Sequence, residues 1–151
     1  MFAAVNRLAR TTGSSPVPEG KMHRGYRYER EKFEISGLTP VRSETLEAPR
    51  VRECPVQLEA KVEGLHHLAE HDTAQCGRVL VIEVCIQRVH LEESILMPGE
   101  HDRMDPDEWR PLIMSFQQFY GLGPKLHDST LAQIPESMYR GPDIERARSG
   151  T

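Results

Sequence analysis

Val56, Leu58, Ala60 and Val62 alternate with Gln57, Glu59, Lys61 and Glu63, a period of two that sends apolar side chains one way and polar ones the other. The pattern predicts a half-buried strand with the apolar set against a core and the polar set in solvent. Further on, GRVLVIEVCIQRVHL has Leu80, Ile82, Val84 and Ile86 on one face and Val79, Val81, Glu83 and Cys85 on the other. A run apolar on both faces predicts a central strand, covered on both sides at its start. Together the two strands are expected to bury Val56, Leu58, Val62, Leu80, Ile82, Val84 and Ile86. The linking HHLAEHDTAQC is too long for a tight turn and suits an antiparallel pair with an elaborated tip. A meander is the economical topology, and nothing suggests βαβ repeats.

Elsewhere the periodicity is weaker. Phe2, Val5 and Leu8 recur at helical spacing and predict an N-terminal helix, ended by Thr-Thr-Gly-Ser-Ser-Pro. YRYEREKFEISGL predicts two or three helical turns stopped by Gly37. VRSETLEAPRVRECP is polar and proline-punctuated, hence extended edge or loop, and IPESMYRGPDIERARSGT ends in residues that fray or lie on the surface. The chain divides into an N-terminal helix (1–15), a connection (16–53), a β unit (54–123) and a surface tail (124–151).

Composition narrows the function classes. With 151 residues and 38% hydrophobic content the chain supports one domain with a modest core. A formal net charge of -4 gives no general attraction to nucleic acid or an anionic membrane, and no apolar run approaches the length of a membrane helix. Three cysteines without a Cys-x-x-Cys pair argue against a disulfide framework and for a reducing compartment, the cytoplasm. MFAAVNRLARTTGSSP, with two arginines and no acid, has the composition of a mitochondrial transit peptide and keeps the mitochondrion as an alternative.

Candidate chemistry is sparse. His67 and His71, with His66, Glu70 and Asp72 beside them, would share a helix face as zinc ligands do, but they fall at the expected hairpin tip, so no metal is assigned. Cys85 and His90, five apart in a strand, point to opposite faces and cannot act as nucleophile and base. Glu83 is a lone acid in an apolar run, which predicts a structural ion pair with Arg88 or another barrel residue. The signatures of dinucleotide folds, nucleotide hydrolysis and esterases are absent, so any chemistry would be carried by a bound cofactor.

WRPLIMSFQQFYGLG, residues 109–123, concentrates four of the nine aromatic residues, Trp109, Phe116, Phe119 and Tyr120. Two readings stay open on composition alone, core packing or one wall of a site for a flat ligand.

Several segments, in order, resemble the flavin reductase-like family of FMN-binding split-barrel proteins. They are FEISGLTPVRSETLEAPRVRECPVQLEAKV, then GRVLVIEVCIQRVHLEESIL, then MDPDEWRPLIMSF, spanning roughly Phe33 to Gly123. The resemblance implies a mainly β fold with minor α, an antiparallel split β-barrel of FMN-binding type, in which 54–123 form the C-terminal half. It also implies FMN as cofactor, NAD(P)H as co-substrate for flavin reduction, and a homodimer. Arg110, Ser115, Phe119 and Tyr120 are the positional candidates for a flavin-site wall; Trp109 is expected to be structural, and no catalytic side chain is assigned. Strands that begin family members have no counterpart here, so the chain is expected to be an incomplete barrel with exposed edges and core face. The alternative function is a truncated, non-catalytic barrel remnant serving dimerisation or interaction.

Overall fold

The computed structural model describes residues 1–149, without the side chains of Ala147 and Arg148. The fold is mainly β. In chain order it comprises α1 (Phe2–Arg7), β1 (Thr11–Thr12), α2 (Glu19–Met22), β2 (Arg27–Tyr28), α3 (Lys32–Ser36), β3 (Pro40–Val41), β4 (Arg50–Val51), β5 (Val56–His67), β6 (Leu80–Leu91), β7 (Leu112–Ser115), β8 (Gln118–Gly121) and α4 (Pro142–Arg148). Among the described residues the strands form four two-stranded sheets and no closed barrel. Three pairs are antiparallel, β3 with β4, β5 with β6 and β7 with β8; β1 and β2 are parallel.

The β5–β6 hairpin dominates the molecule. Its register runs from Val56 opposite Leu91 to His67 opposite Leu80, with irregularities between Glu59 and Ala60 and between Val62 and Gly64. The second explains the glycine. A Cβ at Gly64 would lie 3.0 Å from His66 Nε2 and 3.1 Å from Glu83 Oε2, so a larger residue would press on that pair. Residues 80–91 are strand as the alternation predicts, and 68–79 form the elaborated tip.

Burial departs from the expectation. Val56 is half-buried, but Leu58, Val62, Leu80, Ile82, Val84 and Ile86 are all exposed, Val62 at 62% and Ile82 at 57%. Alternation sorts side chains onto faces, and it does not supply the layer that must cover them. Among the described residues only Ala4 and Ile95 form the buried apolar core.

The polar face of β5 is the covered one. Glu59, expected in solvent, is fully buried because the loop 42–49 between β3 and β4 folds over it. Ser43 is buried in the same loop and its hydroxyl donates to Ala48 O at 2.5 Å, closing the turn.

The N-terminal part is held by polar contacts. Arg7 of α1 donates from Nε to Ser36 O at 3.0 Å, and from Nη2 to the same carbonyl, tying α1 to the end of α3. Gly37 stops α3 in the left-handed region, φ 71°, which a glycine adopts without steric cost. The helix predicted for 26–38 shrinks to Lys32–Ser36 because Arg27 and Tyr28 are taken up as β2 against Thr11 and Thr12. The tail is not wholly frayed: its described part contains two 3-10 turns and α4, while residues 150 and 151 lie outside the described residues.

Candidate functional site

Arg110, Phe119 and Tyr120 meet in one cleft. The segment that carries them folds as the β7–β8 hairpin, with Ile113 opposite Tyr120, Met114 opposite Phe119 and Ser115 opposite Gln118. At its turn Phe116 and Gln117 both have positive φ, 46° and 65°, the requirement of a two-residue hairpin turn of the primed type. Phe116 is 97% exposed there, so it packs neither a core nor a site among the described residues.

The cleft has a volume of about 560 Å³ and is lined by Arg110, Pro111, Leu112, Phe119, Tyr120 and Gly121, together with Met1 and, from the start of α1, Phe2. Three of the four residues singled out in the sequence are therefore brought together. Ser115 is not among the lining residues; it sits beside the turn at the far end of β7. Phe2 is the aromatic lining residue that sequence reading missed, since its helical spacing indicated only an apolar helix face. The neighbouring Trp109 lines a separate cleft of about 720 Å³ with Met104, Ile144, Val89 and other residues.

Apolar rings with one cation suit a flat ligand with polar edges. Phe119 offers ring contact from the hairpin face it shares with Leu112 and Gly121, while Tyr120, the next residue of β8, borders the cleft with its side chain alternating to the other face. Arg110 is exposed with no hydrogen bond or ion pair to another described residue, which leaves its guanidinium available to an anionic or carbonyl edge.

A second polar centre lies under the 42–49 loop. The Glu59 carboxylate accepts from the Glu44 amide at 2.9 Å, the Thr45 amide at 2.6 Å and the Thr45 hydroxyl at 2.6 Å, while His90 Nε2 lies 2.7 Å from Oε1. Burial acts to raise the Glu59 pKa, but the Thr45 hydroxyl, the Glu44 and Thr45 amides and His90 overcome it and hold the group at about 2, below its ordinary 4.5. Arg50 Nε stands 3.3 Å from the same carboxylate without hydrogen-bond alignment, and its other nitrogens reach Gln57 Oε1 and Arg42 O. With its oxygens saturated by the loop, Glu59 fastens β5 to that loop and has no lone pair aimed into a cleft.

The remaining candidates resolve as follows. Glu83 is exposed, not buried, and pairs with His66 at 2.9 Å; Arg88 instead pairs with Glu44 at 2.9 Å. His67 ends β5, and His71 and Asp72 lie in the tip, where Asp72 Oδ1 accepts from the Ala74 amide in a local turn. Among the described residues no group of three or more His, Cys, Asp or Glu is placed to hold a metal ion. All three cysteines are free, and burial, then the charge of Glu53, pushes the Cys54 thiol pKa up, away from thiolate reactivity. Among the described residues no helix is long and apolar enough to cross a membrane.

No protein-family model matches the chain. It is 35% identical over 123 residues to the uncharacterized protein YdfE of Bacillus subtilis (strain 168), covering 82% of this chain and 56% of that protein. Among solved structures it resembles nitrilotriacetate monooxygenase component B from Bacillus cereus, with a TM-score of 0.56 and 22% identity, over 83% of this chain and 54% of that one. It also resembles flavoredoxin of Desulfovibrio vulgaris (Miyazaki F), with a TM-score of 0.51 and 27% identity, over 69% and 51% of the two chains. A third likeness, TM-score 0.52 and 21% identity over 76% and 55%, is to a protein assigned as a flavin reductase with a split barrel domain from Shewanella frigidimarina NCIMB 400. The chain thus spans about half the length of each of these proteins.

Proposed function

From the fold that this chain shares with split-barrel flavin reductases, we propose that it is a flavin reductase-like protein whose β7–β8 cleft forms one wall of an FMN site. One observation carries the reading: Arg110, Phe119 and Tyr120 converge with Phe2 on a cleft of about 560 Å³. Phe119 would hold the ring by contact area, and Arg110 would meet a polar ring edge or the phosphate. FMN, when bound, supplies the hydride acceptor, so that NADH or NADPH is oxidised as the flavin is reduced. The cleft's residues are assigned to binding and orientation, and no catalytic side chain is named.

A second reading is favoured by a different observation. The apolar face of the β5–β6 hairpin is exposed, Leu58, Val62, Ile82, Val84 and Ile86 among its residues, more apolar surface than a solvated hairpin needs. In this reading the chain is a non-catalytic module for dimerisation or interaction. A homodimer fits both readings, because self-association would cover that face.

Adding FMN to the purified chain separates them. The flavin reading expects saturable quenching of Trp109, the only tryptophan, after inner-filter correction, together with retention of yellow colour on gel filtration. Unchanged Trp109 emission with colourless protein would leave the interaction module as the function.

A further inference from the structure

We propose that Arg7, Arg10 and Arg27 form a phosphate-binding site at the C-terminal end of α1. The three line a cleft of about 380 Å³ together with Asn6, Ala9 and Ile35, and no carboxylate is among its lining residues. Charge is concentrated here against the trend of the chain. The first 28 residues contain five Lys and Arg and a single acid, Glu19, in a protein whose net charge is -4. Glu19 is exposed and faces His23.

The backbone brings the three side chains together at a cost. The Arg27 amide donates to Arg10 O at 2.9 Å, and the parallel β1–β2 pair fixes Arg27 beside Thr11. Arg10 itself is held at φ 56°, a left-handed conformation that non-glycine residues rarely adopt. Arg7 is oriented by its two bonds to Ser36 O, with Nη1 left over. Arg10 and Arg27 make no side-chain hydrogen bond or ion pair with another described residue. Three like charges on one cleft repel one another, and a bound dianion reverses the sign of that interaction. Guanidinium groups match phosphate oxygens by paired N–H donors, which makes a phosphate the fitting ligand in preference to a monovalent anion.

Two sources share this chemistry: inorganic phosphate, or the phosphate end of a larger ligand. The second has a structural basis, because Met1 and Phe2 at the other end of α1 line the aromatic cleft. The site itself stands without the flavin reading.

The test follows the arginine Nε–H signals of the full chain by NMR as inorganic phosphate is added at constant ionic strength, with chloride as control. Saturable shifts of Arg10 and Arg27 with phosphate alone are expected, and the double variant Arg10→Gln/Arg27→Gln should bind about tenfold more weakly or worse. Equal response to chloride, or no saturable shift in the wild-type chain, overturns the proposal without recourse to any variant. So does undiminished phosphate binding by a double variant with unchanged far-UV circular dichroism. FMN that displaces phosphate where riboflavin does not identifies the ligand's phosphate end as the source; phosphate binding indifferent to FMN identifies the free anion. Neither outcome depends on Trp109 quenching, so the two readings fail separately.

Discussion

His90 Nε2 of β6 lies 2.7 Å from Oε1 of Glu59 on β5, and the pair is sealed beneath the 42–49 loop, with Glu59 wholly buried and the His90 side chain 19% exposed. Glu44, in the sealing loop, faces both His90 Nδ1 at 3.8 Å and Arg88 at 2.9 Å. The loop is therefore fastened to both strands of the hairpin by charged groups, where most folds would use apolar burial.

Stability should fall in acid. The folded-state pKa of Glu59 is depressed to about 2 from 4.5, so its contribution is fully present above 4.5 and is lost as pH falls from there through about 2. Denaturant unfolding followed by circular dichroism across that window should show the decline, and Glu59→Gln should flatten it. Some slope will remain, because hydrogen bonding by Thr39 lowers the Glu53 pKa in the same direction. A Glu59→Gln variant with the wild-type pH profile would remove Glu59 from this role.

Flavin affinity should depend on two residues of the aromatic cleft. Phe119→Ala is expected to weaken FMN binding by roughly threefold to tenfold, as loss of one aromatic contact does. Arg110→Ala should cost more at low salt than at high salt if its guanidinium meets the phosphate. Titrations of both variants at two ionic strengths check this; equal affinities throughout would return the cleft to a packing role.

The chain should self-associate through the β5–β6 hairpin. Sedimentation at micromolar concentration is expected to give a species heavier than the 17.2 kDa monomer. Ile82→Lys with Ile86→Lys should shift it toward monomer, since charges on the strand face that association would cover oppose it. A monodisperse monomer in the wild type would exclude the homodimer.

The β7–β8 turn offers a stabilising change. Phe116 and Gln117 occupy positive φ that Asn-Gly adopts more readily, and Phe116 has no burial to lose at 97% exposure. Phe116→Asn with Gln117→Gly should raise unfolding free energy by about 1–2 kcal/mol, the order of the left-handed penalty for one residue. Chemical denaturation measures it, and flavin titration should be unaffected because neither residue lines the cleft.

The sequence by itself determined the elements whose information is local. Alternation over 56–62 and 79–86 marked both long strands, the residues between them marked a hairpin with a long tip, and Gly37 marked the end of α3. Arg110, Phe119 and Tyr120 were legible as a group because they are near neighbours on and just before one short hairpin, which supplies most of the lining of their cleft. Tertiary structure alone decided what covers what. A period of two states that Leu58 and Glu59 face opposite ways, and it is silent on which face another segment will meet. Here a loop rich in amide donors and hydroxyls came down on the Glu59 side, while no described layer reached the Leu58 side. The same holds for Phe2 in one cleft with Phe119 and for Arg10 beside Arg27, pairings that join segments distant in sequence. Such contacts arise from chain closure over long separations, which hydrophobic periodicity does not encode.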